Sequence, residues 1–164
     1  MMRNSGIVLS AFAAALLASA ASASSGHSGA DTAYGHRGDA RKAAKTVRIE
    51  ASEIRFNVGE LSFKSGETVK FVLVNKGEQD HELTIGDAAM QMEHRKMMQE
   101  MAAMPNMDMT KMPGHKHNVE STIVAKPGET KELVWQFTRP GVFEFACNIP
   151  GHAEVGMTGK IVVN

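Results

Sequence analysis

The sequence predicts an all-β fold, a Greek-key antiparallel β-sandwich or barrel, that carries one methionine-rich insertion. Two observations support this prediction. Apolar and polar residues alternate in short runs, as around Val69, Phe71 and Leu73, which is the period-two pattern of a half-buried strand. Turn-forming groups that contain glycine, such as residues 126–129, separate these runs at the short spacing typical of sandwiches and barrels.

Residues 1–23 have the composition of a signal peptide. Arg3 supplies a positive charge, an apolar stretch follows from Ile7 to Ala21, and small residues around it offer cleavage sites. Serines interrupt this stretch, and it is too short to span a bilayer. We therefore expect an exported, periplasmic protein without a membrane anchor.

The remaining chain has the size of one domain. Residues 24–45 are rich in Gly, Ala, Ser and charged side chains, so we expect a flexible N-terminal arm there. Residues 46–164 form the predicted β-domain, with the insertion at 87–118. The chain has 18 basic and 18 acidic side chains, and this balance gives no argument for binding nucleic acid or an anionic membrane.

The strands follow from the apolar pattern on either side of the insertion. Before it, apolar residues alternate at Val47 and Ile49, at Ile54 and Phe56, at Leu61 and Phe63, and from Val69 to Leu73. After it, strands are predicted over 119–124, 130–137, 142–147 and 158–163.

The lone cysteine, Cys147, ends one of these strands and shares a face with Phe143 and Phe145, so its sulfur should point into the core. Such a cysteine is a buried thiol, an intermolecular disulfide partner or a metal ligand. The loop that follows supplies His152 and Met157. Thiolate, imidazole and thioether together favour copper, and a blue-copper centre adds a second histidine. His81 is the best candidate for it.

Two segments carry a resemblance to a known family. Residues 75–85, around His81, and residues 140–163, around Cys147, resemble the cupredoxins, the family of plastocyanin, azurin, auracyanin and rusticyanin. Four residues separate Cys147 from His152 and four separate His152 from Met157, a spacing similar to that of auracyanin and rusticyanin. The resemblance implies a type 1 copper site with His81, Cys147 and His152 as strong ligands and Met157 as a weak axial ligand.

One residue departs from the family pattern. Many cupredoxins have Asn or Ser directly after the first histidine, where it helps to tie the two ligand loops together, whereas this chain has Glu82. An ionisable side chain there leaves open which hydrogen bonds support the ligands, and such bonds tune a metal site.

The insertion is unusual because it lacks Leu, Ile, Phe and Trp yet holds nine of the 12 methionines of the chain. A helix is predicted over 88–103, with Met90, His94, Met97, Met101 and Met104 on one face and Pro105 after it. Two interpretations stay open. The methionines either pack onto the β-domain or bind copper(I) through their soft thioethers, as in the similar methionine-rich segments of bacterial copper-tolerance proteins. The candidate secondary copper(I) ligands are Met98, Met101, Met104, Met107, Met109, Met112, His115 and His117.

No enzyme is expected, because multicopper oxidases need more copper sites and a dinuclear centre needs two cysteines. We expect instead a redox-active copper protein that handles copper in the periplasm for copper tolerance, with a transient redox or copper-transfer partner. The alternative is a one-electron carrier between periplasmic partners, in which the insertion is purely structural.

Overall fold

The computed structural model describes residues 32–104 and 119–164 and folds them into two five-stranded sheets that pack as a sandwich. In chain order the strands are β1 (His36–Arg37), β2 (Lys45–Ser52), β3 (Arg55–Phe56), β4 (Glu60–Phe63), β5 (Thr68–Asn75), β6 (His81–Gly86), β7 (Thr122–Ala125), β8 (Thr130–Gln136), β9 (Gly141–Ala146) and β10 (Thr158–Val163). The first sheet has the order β1-β8-β5-β2-β3 and the second the order β4-β10-β9-β6-β7. The predicted β-sandwich is confirmed.

The sheets are mixed, which differs from the antiparallel prediction. β2 runs parallel to β5 and β4 runs parallel to β10, while the other pairs are antiparallel. After β3 the chain crosses to the second sheet to form β4 and then re-enters the first sheet. As a result β5 runs in the same direction as β2. Alternation of apolar residues predicts a strand and its faces but contains no information about its partner.

The core lies between the sheets and follows the period-two pattern. Phe71 and Leu73 of β5 are fully buried from the first sheet, and Phe145 and Ile161 are fully buried from the second. These side chains point inward because neighbours along a strand face opposite sides. Cys147 lies beyond the end of β9 on the same inward face, as predicted.

Residues 32–45 are part of this fold, so the flexible arm predicted for 24–45 does not describe them. Tyr34 is buried, its ring stacks on that of Trp135 at a centroid distance of 5.9 Å, and its carbonyl accepts a 3.0 Å hydrogen bond from Trp135 Nε1. β1 then pairs with β8. The local composition gives little sign of this order because Tyr34 depends on a partner 101 residues away. Residues 24–31 lie outside the described residues, as does the predicted signal peptide.

The predicted helix is present as α1 (Ala88–Ala103), between β6 and β7. The side chain of Asp87 caps its first turn by accepting a 2.8 Å hydrogen bond from the Met90 amide. The helix contacts β6 and β9. Of the predicted apolar face, Met97 is buried, whereas Met104, just beyond the helix, is exposed. The rest of the predicted insertion, 105–118, lies outside the described residues.

Across the two described ranges, none of the helices has the length and apolar character needed to cross a membrane.

Shortening Tyr34 to alanine should lower the free energy of unfolding of the metal-free protein by about 3 kcal/mol, because a buried aromatic ring is replaced by a cavity. Chemical denaturation measures the loss. Val142→Ala, at a side chain that is 64% exposed, is the control and should change stability by less than about 0.5 kcal/mol. Equal stability of the two variants would contradict the view that residues 32–45 belong to the fold.

Candidate metal centre

Two adjacent strands of the second sheet bring the first two candidate ligands together. His81 is the first residue of β6, and Cys147 directly follows β9. β6 and β9 pair antiparallel, with Thr84 opposite Ala146. The start of β6 therefore lies beside the end of β9, which places the imidazole near the thiol at one end of these two central strands.

The loop after Cys147 folds back on itself and returns His152 to the same place. The Cys147 amide donates to the carbonyl of Met157 (3.1 Å), and the Met157 amide donates to the carbonyl of His152 (3.0 Å). Gly151 and Gly156 allow these turns, since their φ angles of +91° and +99° are left-handed conformations that other residues rarely adopt. The loop is thus held closed at its ends by main-chain bonds.

The three side chains form one buried cluster. Cys147 Sγ lies 3.3 Å from His152 Nδ1 and 4.0 Å from His81 Nδ1, and all three donor atoms lie within 4.8 Å of one another. Sulfur and nitrogen bound to one metal ion at zinc-like lengths would be roughly 3.5–3.7 Å apart. The two distances bracket that range, so the cluster fits a single metal ion. His81 and Cys147 are fully buried, and His152 nearly so.

The loop before β6 orients His152. Asn75 Nδ2 donates to the carbonyls of Gln79 (2.6 Å) and Ala125 (2.9 Å), which fixes this loop against β7. His152 Nε2 lies 3.1 Å from Gln79 Oε1, so Nε2–H donates to that oxygen. With the proton on Nε2, Nδ1 keeps its lone pair and faces the Cys147 sulfur. This is the tautomer that binding of a metal at Nδ1 requires.

The protonation of the three groups follows from their burial. Burial lowers the pKa of His81, with a further contribution from nearby His152, and burial also lowers the pKa of His152. Burial raises the pKa of the Cys147 thiol to about 12. In the metal-free protein near neutral pH the imidazoles are therefore ready to bind a metal, whereas the sulfur must first lose a proton.

Glu82 connects the segment of His81 to the segment of Cys147. The sequence alone left open which hydrogen bonds this ionisable residue makes. Its amide donates to Cys147 Sγ (3.4 Å), and its buried carboxylate accepts hydrogen bonds from the Asn148 amide (2.8 Å) and Thr84 Oγ1 (3.0 Å). His94 Nε2 lies 3.2 Å from the same carboxylate. Glu82 on β6 therefore ties the two ligand segments together, which is the role that the resemblance to cupredoxins implies for Asn or Ser at this position.

Sequence reasoning found the cluster but missed the residues that support it. The sequence gives no sign that the site is supported by Gln79, Gln91 and Asn148. Each is a polar residue whose hydrogen-bond partner lies on another element. Met157 is fully buried at the closed end of the loop, and its role as an axial ligand stays a prediction. Met98, Met101 and Met104 belong to α1 and its C-terminal cap, whereas Met107, Met109, Met112, His115 and His117 lie outside the described residues.

The sandwich and its buried His–Cys–His cluster have the arrangement expected of a metal protein of the cupredoxin class. A family model described as copper binding proteins, plastocyanin/azurin family, matches residues 43–164. The chain belongs to this family of copper-binding proteins.

The chain is also similar to individual curated proteins. It is 43% identical to the copper-resistant cuproprotein CopI of Rubrivivax gelatinosus, with 92% of each chain covered. It is 37% identical to the protein of the same name from Pseudomonas aeruginosa, with 80% of this chain and 82% of that protein covered. A third, from Vibrio cholerae, is 42% identical, with 73% of this chain and 66% of that protein covered.

Solved structures of auracyanins share the fold. Auracyanin B superposes with a TM-score of 0.61 at 19% identity, covering 80% of this chain and 96% of its own. Auracyanin A of Chloroflexus aurantiacus, described as a "blue" copper protein, superposes with a TM-score of 0.56 at 26% identity, covering 73% and 98%. The first similarity concerns the fold alone.

Binding of copper at pH 7 should release about one proton per ion, from the Cys147 thiol, because both imidazoles are already neutral. Affinity should then rise about tenfold per pH unit between pH 7 and 9, and fall more steeply in acid, where protons also compete for the imidazoles. Calorimetric titration in buffers of different ionisation enthalpy counts the protons, and chelator competition gives the affinities.

Cys147→Ser is the control for this count, since a serine hydroxyl has no proton to lose at these pH values. Wild-type protein that binds copper without releasing a proton would contradict the assignment of the sulfur as a ligand.

Proposed function

We propose that this protein binds copper at one redox-active site and serves in copper tolerance. The observation that carries the proposal is the buried cluster of His81, Cys147 and His152, in a chain similar to proteins described as copper-resistant cuproproteins. Met157 is the proposed weak axial ligand.

The donor set suits copper for a chemical reason. Thiolate and imidazole bind copper in both of its oxidation states, whereas magnesium, calcium and manganese prefer oxygen donors. Bound copper supplies a one-electron redox couple. The chain supplies a rigid cage, in which the sheet pair β6–β9 and the closed loop hold the donors in fixed positions and exclude water.

The methionine-rich insertion is the feature that favours copper handling over simple electron transfer. Thioethers stay neutral and soft at any pH and suit copper(I). We propose secondary copper(I) binding by methionines and histidines among Met98, Met101, Met104, Met107, Met109, Met112, His115 and His117. Of these, Met104 is exposed and Met98 and Met101 are half-buried, so solvent copper has access to this end of α1.

The remaining parts of the proposal rest on the sequence. A signal peptide over residues 1–23 would export the protein to the periplasm. A transient redox or copper-transfer partner would exchange electrons or copper with it. We propose no catalytic activity, because the single cysteine is buried and its raised pKa makes it a poor nucleophile without a metal.

A one-electron carrier is the second candidate. It is favoured by one observation: within residues 32–104 and 119–164, the cluster at His81 is the group of His, Cys and acidic residues able to hold a metal. In that case the insertion would be purely structural, and the protein would bind one copper.

The number of copper(I) ions that the mature protein retains against a chelator at neutral pH separates the two candidates. We expect at least two per chain for wild-type protein, because the insertion adds soft donors to the Cys147 site. Replacing Met107, Met109 and Met112 by leucine and His115 and His117 by asparagine should lower that number towards one, because five of the eight candidate secondary donors are lost. It should also lower the copper tolerance of cells that depend on the protein while keeping the visible absorption of the oxidised site.

Met92→Leu is the matched control, since Met92 lies on α1 with 68% of its surface exposed and is not a candidate ligand. It should retain the wild-type number of copper ions. One copper in the wild-type protein would favour the electron carrier, and none would contradict both candidates.

A further inference from the structure

Helix α1 faces the copper-ligand loop with a polar stripe, which is defined here as Gln91, Arg95 and Gln99. These residues are four positions apart, so they lie one turn above another on the same side of the helix. Arg95 Nε donates to Asn148 Oδ1 (3.0 Å), and Gln99 Nε2 donates to Glu154 Oε1 (2.8 Å). Each turn of α1 in this region thus contacts the chain around Cys147 and His152.

Gln91 is the innermost member of the stripe and is fully buried. Its Nε2 donates to the main-chain carbonyls of Thr84 on β6 (2.8 Å) and Glu144 on β9 (3.3 Å). Its Oε1 accepts a 2.8 Å hydrogen bond from Asn148 Nδ2. One amide therefore bridges β6, which begins at His81, and β9, which ends just before Cys147, and also binds the residue that follows Cys147.

Asn148 links helix α1 to the metal centre by hydrogen bonds. It is 1% exposed, and each of its side-chain polar atoms is bound, Nδ2 to Gln91 and Oδ1 to Arg95. Its main-chain amide donates to Glu82 Oε1 (2.8 Å). The Glu82 amide in turn donates to the Cys147 sulfur (3.4 Å). Hydrogen bonds at Asn148 and Glu82 therefore link α1, through these two residues, to the sulfur.

We propose that α1 is a positioning element of the copper centre, with Gln91 and Arg95 holding Asn148 and thereby the Cys147 segment. This inference rests on the proposed copper site. It means that the helical half of the insertion belongs to the metal centre, whatever the methionines beyond it bind.

The character of the contacts supports a positioning role over mere attachment. A helix that only needs to adhere to a sandwich does so by apolar burial, as Met97 does here. Here the contact instead includes two buried amides that hydrogen-bond to each other, Gln91 of the stripe and Asn148 beside Cys147, where losing one partner is costly and geometry is strongly restricted. Groups that orient ligands typically change metal affinity by 10–100-fold when they are removed.

The test compares Gln91→Leu and Arg95→Met with wild-type protein. Both variants should bind copper about 10-fold more weakly in chelator competition, and both should show a shifted visible absorption and altered electron paramagnetic resonance of the oxidised site. Arg95→Lys, which retains a donor towards Asn148, should lie closer to wild type. Arg95 is partly exposed, so its variants provide the comparison if Gln91→Leu does not fold.

Val163→Ala controls for general loss of stability. Val163 is buried at the far end of β10, away from the residues that adjoin the ligand loop. This variant should lower the melting temperature of the copper-free protein but leave affinity and spectrum unchanged. Wild-type affinity and spectrum in Gln91→Leu or Arg95→Met, or equal changes in Val163→Ala, would overturn the inference. Failure of wild-type protein to bind copper would instead overturn the proposed function.

Discussion

The antiparallel pairing of β6 with β9 is the constraint on which the rest of the site depends. It sets the first residue of β6, His81, beside the residue that follows β9, Cys147. The same pairing brings the main-chain amide of Glu82 to the sulfur and opens the position between Thr84 and Glu144 that Gln91 fills. A shift of one residue in this register would turn the inward side chains outward and separate the ligands.

The loop between Cys147 and Met157 adds His152 to the two ligands that the strand pair brings together. Its own main-chain bonds and two left-handed glycines return His152 to the sulfur, and long-range hydrogen bonds from Gln79 and Gln99 help to hold the loop there. The site therefore combines a long-range strand pairing with a loop whose closure is local. The burial of both explains why the copper-free protein holds a protonated thiol beside neutral imidazoles, a state from which a soft metal ion displaces one proton.

Local patterns made much of this predictable. Period-two alternation gave the strands and the inward direction of Cys147, and the spacing of His152 and Met157 gave a compact loop. Helix formers and Pro105 gave the bounds of α1. Local patterns do not show which distant segments of the chain pair with each other. They therefore did not predict the parallel pairs β2–β5 and β4–β10, or the packing of Tyr34 against Trp135. Gln91 was missed because a glutamine among methionines looks solvent-facing until its partners are known.

The insertion consists of two parts, for which we propose different roles. Its helix is bonded to the ligand loop, and its methionine-rich remainder follows beyond Met104. A deletion that starts at Gln91 would remove both, so a loss of copper tolerance could not be assigned to either part. Substitutions confined to 105–118 separate copper binding by the methionines from support of the site.

X-ray absorption fine structure at the copper edge tests the central claim most directly, using oxidised mature protein loaded with one copper ion. The account predicts one sulfur at about 2.3 Å and two nitrogens at about 2.0 Å, the lengths that thiolate and imidazole make to a zinc ion of similar size. A shell of oxygen and nitrogen alone, or several sulfurs without imidazole, would contradict copper binding by His81, Cys147 and His152 together.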